Sequence, residues 1–160
     1  MSALGFERHD HDSCIALGVA AAEAHCAAQG LQLTPVRRRV LEILLARHRA
    51  MGAYEILGIL REEGLGSQPP VAYRALDFLV KHGFVHRIER LNAFAACTHP
   101  GENHSPVFLI CRICESVAEA QADPARGMLG HAAQAAGFRI ERVVVEAEGI
   151  CPRCAETEAA

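Results

Sequence analysis

From residue 13 to residue 82 the apolar positions recur three and four apart, and beyond residue 84 they fall into short runs that suit strands. Ser13 to Gln29 is alanine-rich with strong helix propensity, and Gly30 supplies a left-handed stop. Thr34-Pro35 reads as an N-cap followed by proline at the first helical position. The helix it opens sets Val40, Leu41, Leu44 and Leu45 on one face, with Arg37, Arg38 and Arg39 in its first turns. Ala53 to Glu63 predicts a shorter helix that turns Ile56, Leu57, Ile59 and Leu60 inward. After a Gly- and Pro-rich loop, Val71 to His82 predicts a helix stopped by Gly83. Its Leu76, Leu79 and Val80 recur at helical spacing and leave Tyr73, Arg74 and Asp77 free to point elsewhere. Phe84–Ile88 and Ala93–Cys97 then predict two strands around a turn at Asn92. Three helices followed by such a ribbon describe a winged helix-turn-helix.

The second half has a different rhythm. Thr98 to Pro106 is rich in Pro, Gly and Asn and reads as a linker. Val107–Ile110 is a continuous apolar run that predicts a buried strand, with Val117–Ala120 returning beside it across Cys111-Arg-Ile-Cys114. Asp123-Pro124 repeats the N-cap and proline signal and predicts a helix to about Ala136. Phe138 to Glu148 alternates well enough for a strand, and Cys151-Pro-Arg-Cys154 precedes a polar tail. The fold class expected is α+β. A winged-helix unit covers residues 1–97, a hinge linker 98–106 and a small α/β domain 107–160.

Composition narrows the function. The 160-residue chain is 51% apolar, enough for a core, yet no apolar run approaches the ~20 residues of a bilayer span. The opening MSALGFERHDHD lacks the basic-then-apolar order of a secretory signal, so the expected location is the cytoplasm. The net charge of −3 taken whole argues against DNA. Its distribution reverses that: residues 31–90 carry ten basic and six acidic side chains, while both flanks are acidic. Only the middle third suits phosphate, with Arg74 and Tyr73 placed near the start of the third helix where base edges are met. Arg37 and its neighbours, Tyr54, Lys81 and Arg87 are candidates for phosphate contact.

The chemistry concentrates between Phe84 and Glu119. Seven cysteines is an odd number, and four of them form two C-x-x-C pairs, which in a reducing compartment favours metal thiolate over disulfide. Cys111, Cys114, Cys151 and Cys154 can close a tetrahedron around Zn²⁺, a structural site with no open position. A second set mixes imidazole, thiolate and carboxylate: His86, Cys97, His104 and Glu119, with His99 as a substitute for His104. The thiolate makes an all-oxygen metal a poor match and suits zinc. Because these donors come from both halves, an ion there would act as a switch. His9, Asp10, His11, Asp12 and Cys14 form a further cluster that reads as a flexible tail, and Cys26 reads as core.

Leu33-Thr-Pro-Val-Arg37, Ala53-Tyr-Glu55, Pro69-Pro-Val-Ala-Tyr-Arg-Ala-Leu-Asp-Phe-Leu79 and Gly83-Phe-Val-His86, together with the two cysteine pairs, resemble the ferric-uptake-regulator family. The run His86, Cys97, His104, Cys111, Glu119 resembles its zinc-uptake branch. The iron branch carries a histidine-rich run where this chain has Gly101-Glu-Asn-His-Ser105. The resemblance implies a homodimer joined through the C-terminal domain. It implies two zinc ions per chain, a structural one on the four cysteines and a regulatory one on His86, Cys97, His104 and Glu119. It also implies repression of zinc-import genes from AT-rich inverted repeats in double-stranded DNA, with Tyr54, Tyr73 and Arg74 at DNA-contacting positions. No enzymatic activity is implied. Val71-Ala72 replaces the common Thr-Val before the recognition tyrosine, which removes a hydroxyl near the operator backbone. Competing readings are a family member sensing iron, manganese or peroxide, a thiol-disulfide protein using Cys111 and Cys114, and a zinc buffer that never touches DNA.

Overall fold

A computed structural model of the chain describes residue 6 and residues 10–47, 49–100 and 104–159. They divide into two units, one within Glu7–Gly101 and one within Glu102–Ala160 that also takes in Phe6. No helix among the described residues is long and apolar enough to cross a membrane.

The N-terminal unit starts with α1 (His11–Gln29), two residues earlier than the sequence predicts, because Asp10 caps it: the Asp12 N–H donates to Asp10 Oδ1 at 3.0 Å. Gly30 ends it at φ 66°, the left-handed conformation that favours glycine. Helix α2 (Pro35–Leu45) begins as expected, with the Arg37 N–H donating to Thr34 Oγ1 at 3.4 Å. Helices α3 (Ala53–Glu62) and α4 (Pro69–Lys81) follow. Helix α4 takes in both prolines, since a missing N–H costs nothing in a first turn that has no acceptor for it. Strands β1 (Val85–Ile88) and β2 (Ala93–Ala96) pair antiparallel around Asn92, whose φ is 46°.

Val40, Leu44, Ile56, Leu60, Leu76 and Leu79 are fully buried and join the three later helices into one core. Helix α1 packs closely on α2 because Gly18 leaves room: a Cβ there would lie 2.5 Å from Leu45 Cδ1. An element not predicted from the sequence is a bridge between Met51 and Phe94, with two N–H···O bonds of 2.8 Å. It pins the entrance of α3 to the ribbon.

The C-terminal unit is a three-stranded sheet in the order β4-β3-β5. Strand β3 (Val107–Cys111) is central and pairs antiparallel with β4 (Val117–Ala120) and parallel with β5 (Val145–Gly149). The parallel pair needs a crossover, which contains a 3₁₀ turn (Pro124–Arg126) and α5 (Met128–Ala135).

Three expectations for this half are corrected. The single helix from Asp123 is split at Gly127, whose ψ of −145° is not helical. The 3₁₀ turn folds so tightly onto α5 that a Cβ on Gly130 would sit 1.9 Å from the Ala125 carbonyl oxygen. The strand expected from Phe138 begins only at Val145, because Val145 already pairs with Val107, the first residue of β3. The polar tail is instead α6 (Pro152–Ala159), opened by the same proline signal that opens α2.

Candidate metal centre and nucleic-acid face

The sheet of the C-terminal unit positions four thiols. Cys111 ends β3, and Cys114 lies in the turn that follows, closed by Glu115 N–H to Cys111 O at 3.0 Å and Cys111 N–H to Ser116 O at 2.9 Å. Glu115 takes φ 58° to make that turn. Cys151 follows β5, and Cys154 lies on the first turn of α6. The register Cys111↔Gly149 carries the second pair to the first, and the sulfurs gather within 4.8 Å of one another. Cys114 Sγ and Cys151 Sγ are 3.7 Å apart. That is far beyond a disulfide bond of ~2.05 Å. It is close to the ~3.8 Å edge of a tetrahedron built on Zn–S bonds of ~2.3 Å.

The electrostatics favour thiolate at Cys111 and Cys114. Burial pushes the Cys111 thiol up, but backbone N–H groups of Cys114, Cys151 and Ile113 outweigh it and hold its pKa at about 6. The Ser116 hydroxyl, 3.2 Å from Cys114 Sγ, lowers Cys114 as well. Cys154, bonded to the Cys151 thiol and facing the other sulfurs, is pushed up to about 12. Four sulfurs cannot all ionise side by side without a cation to offset them, so the arrangement fits a divalent soft metal.

Of the mixed donor set, His86 and Cys97 belong to the N-terminal unit. His86 on β1 lies opposite Ala95, and the Cys97 N–H donates to Phe84 O at 2.9 Å, continuing the ladder past β2. Alternation along the strands therefore puts His86 and Cys97 diagonally on the same face of the ribbon. Cys97 is 4% exposed, and its sulfur accepts the His99 N–H at 3.3 Å, the kind of bond that stabilises a thiolate. The His99 ring is turned to Thr98 Oγ1 at 2.9 Å, so His99 serves Cys97 through its backbone.

His104 and Glu119 belong to the C-terminal unit, where His104 Nε2 bonds Glu119 Oε1. Glu119 is 4% exposed on β4, a buried carboxylate that needs a cation or a hydrogen-bond donor beside it. The N-terminal cluster does not assemble among the described residues; Asp10 is spent on capping α1, and His9 lies outside the described residues. Cys26 is buried in α1, as expected.

Tyr54 (69% exposed), Tyr73 and Arg74 are exposed on α3 and α4. A concave surface between these helices and the ribbon is lined by Tyr54, Tyr73, Asp77, Lys81, Arg87 and Asn92. The arginines of α2 are occupied within their own unit. The Arg37 guanidinium lies 3.7 Å from the Phe78 ring centroid and donates to Gln32 O at 2.6 Å. Arg38 pairs with Glu23, and Arg39 pairs with Glu63 at 2.7 Å and Glu42 at 3.1 Å. Sequence reasoning missed these pairings, although the i,i+3 spacing of Arg39 and Glu42 was a visible signal.

The family model of the ferric uptake regulator family matches residues 28–148. The zinc uptake regulation protein of Escherichia coli (strain K12) is 37% identical over 142 residues, 88% of this chain and 83% of that protein. Among solved structures, a zinc uptake regulator complexed with zinc and DNA matches with a TM-score of 0.85 and 36% identity, covering 91% of this chain and 98% of that one. Holo XcZur matches with a TM-score of 0.76 and 42% identity, covering 86% and 96%.

Proposed function

The chain belongs to the ferric uptake regulator family, and from that premise we propose that it is a zinc-responsive transcriptional repressor whose zinc-loaded homodimer binds DNA. The observation that carries the metal assignment is Cys97: a buried thiolate candidate, hydrogen-bonded at sulfur, on the same ribbon face as His86. A thiolate with imidazole and carboxylate partners selects zinc over iron(II) and manganese(II), which prefer nitrogen and oxygen.

Zinc would occupy two sites per chain. Cys111, Cys114, Cys151 and Cys154 would hold a structural ion that stabilises the C-terminal unit as it binds. His86, Cys97, His104 and Glu119 would hold the regulatory ion. An ion bound by this set would favour one conformational state over others. The protein is a regulator and not an enzyme, like the zinc uptake regulators it resembles.

In the homodimer, α5 supplies apolar surface: Met128 is 88% exposed, Leu129 is exposed, and no residue of the helix is buried. Phe138, just beyond it, is also exposed. Strand β5 has only β3 as a described neighbour and leaves its outer edge for pairing. On DNA, Tyr73 and Arg74 of α4 would meet base edges in the major groove and Tyr54 a phosphate, with Arg37 adding positive potential from behind. The target is an AT-rich inverted repeat controlling zinc-uptake genes, and the place of action is the cytoplasm.

Fluorescence anisotropy with an AT-rich inverted-repeat duplex, across a buffered free-zinc series and parallel iron(II) and manganese(II) series, tests this reading. A steep gain in affinity with zinc alone is expected. A gain with iron or manganese instead would move the protein to another branch of the family, and zinc-independent binding would remove the switch.

A further inference from the structure

One acidic side chain stands on a surface that should approach polyanionic DNA. Asp77 is exposed on α4, one turn after Tyr73, and lines the same concavity as Tyr54, Lys81, Arg87 and Asn92. Arg74 and Lys81 lie three residues before it and four after, both within reach on a helix. Asp77 nevertheless forms no ion pair or hydrogen bond with any described residue. It sits in the interior of α4, too far from the N-terminus to act as a cap, and aspartate is a poor interior helix former. Nothing in the unit's own stability accounts for a carboxylate there.

DNA recognition accounts for it. Near phosphates a carboxylate repels, and at a major-groove base edge it repels the acceptors of guanine and thymine. It is satisfied by an exocyclic amine, foremost the N4 donor of cytosine. Resting on the reading above that α4 enters the major groove, we propose that Asp77 is a specificity-determining residue that accepts a hydrogen bond from the N4 amine of a cytosine in each half-site. The carboxylate then works in two directions. It favours that one base, and it lowers affinity for DNA lacking the amine at that position, so specificity rises more than affinity does.

The test uses the full-length, zinc-loaded protein and its Asp77→Asn and Asp77→Ala variants, with equal zinc content and melting behaviour checked first. Each is selected against a random double-stranded library, then titrated with its own selected duplex and with an unrelated duplex. The wild type is expected to select a cytosine at one position per half-site. Asp77→Ala should lower that preference about 5- to 150-fold. It should leave the other positions as they were and bind the unrelated duplex more tightly. Asp77→Asn, which pairs with adenine N6 and N7, should shift the preference towards adenine. Identical base profiles in all three proteins, or a loss spread evenly over every position, would overturn the proposal. Failure of the wild type to select any site would instead overturn the DNA-binding reading on which the proposal rests.

Discussion

His82 caps the C-terminal end of α4 and meets His25 of α1, with His25 Nε2 and His82 Nδ1 at 3.4 Å. Phe84 stacks edge-on against the His25 ring and Phe78 tilts over the His82 ring. Burial, followed by the positive fields of His25, Lys81 and Arg37, lowers the His82 pKa below its ordinary value of 6.5. The unfolded chain therefore binds more protons than the folded one just below that value, and stability should fall as pH drops through it. Thermal melting at pH 7.5 and pH 5.5 should show a loss that is smaller in His82→Gln. An equal pH dependence in both proteins would place the sensitivity elsewhere. On the DNA face, Arg74→Ala should weaken specific binding by roughly 1–3 kcal/mol while leaving binding to unrelated DNA less affected. Anisotropy with specific and unrelated duplexes would show it. The exposure of Arg74 on α4 was legible from the helical periodicity of its neighbours. The fate of Arg37 was not, because its ring partner Phe78 lies on another helix and only the tertiary fold brings them together.

Among the elements, those with local signals were read well: Thr34-Pro35 and Gly30 mark helix ends through their own dihedral preferences. The misreadings arose where distant pairing decides. Whether residues 138–144 extend a strand depends on how far β3 reaches, which their own alternation does not report. The break at Gly127 depends on backbone packing between the 3₁₀ turn and α5. Gly130→Ala tests that packing, since its new Cβ would meet a carbonyl oxygen and not a yielding side chain. The substitution should destabilise the C-terminal unit by roughly 1–3 kcal/mol, read as a lower denaturation midpoint. A neutral or stabilising outcome, as Gly→Ala gives in an open helix, would show that the turn can relax.

For the molecule as a whole, the two donor sets predict separable failures. Cys114→Ser should unfold the C-terminal unit and abolish dimerisation, because a four-thiolate zinc site contributes folding energy directly. Cys97→Ser should leave a folded dimer whose DNA affinity no longer responds to zinc. Circular dichroism with sedimentation, run beside the zinc-dependent anisotropy, distinguishes them; equal loss of helicity in both variants would contradict separate roles. The four-cysteine set was legible because two C-x-x-C pairs are a specific pattern. The mixed set was less so, since a lone wing histidine or a buried cysteine has many ordinary explanations. Its better indication in the fold is Glu119, a carboxylate at 4% exposure that no apolar sheet face would tolerate alone.

The knuckle at Cys111 and Cys114 is stitched to Cys151 across the parallel β3–β5 ladder, with Arg112 N–H bonded to Gly149 O at 2.9 Å. Two of the four sulfurs sit on residues that are fully withdrawn from solvent. An ion held there would be slow to leave, because the ladder keeps Cys111 and Cys151 in place behind the part-exposed Cys114 and Cys154. Its residence time would then lengthen with the stability of the sheet against sub-global opening. A regulatory ion has the opposite requirement, since it must come and go as fast as the cell's zinc supply changes. The same metal would thus be a permanent fixture among the four cysteines and a passing signal at the mixed donor set.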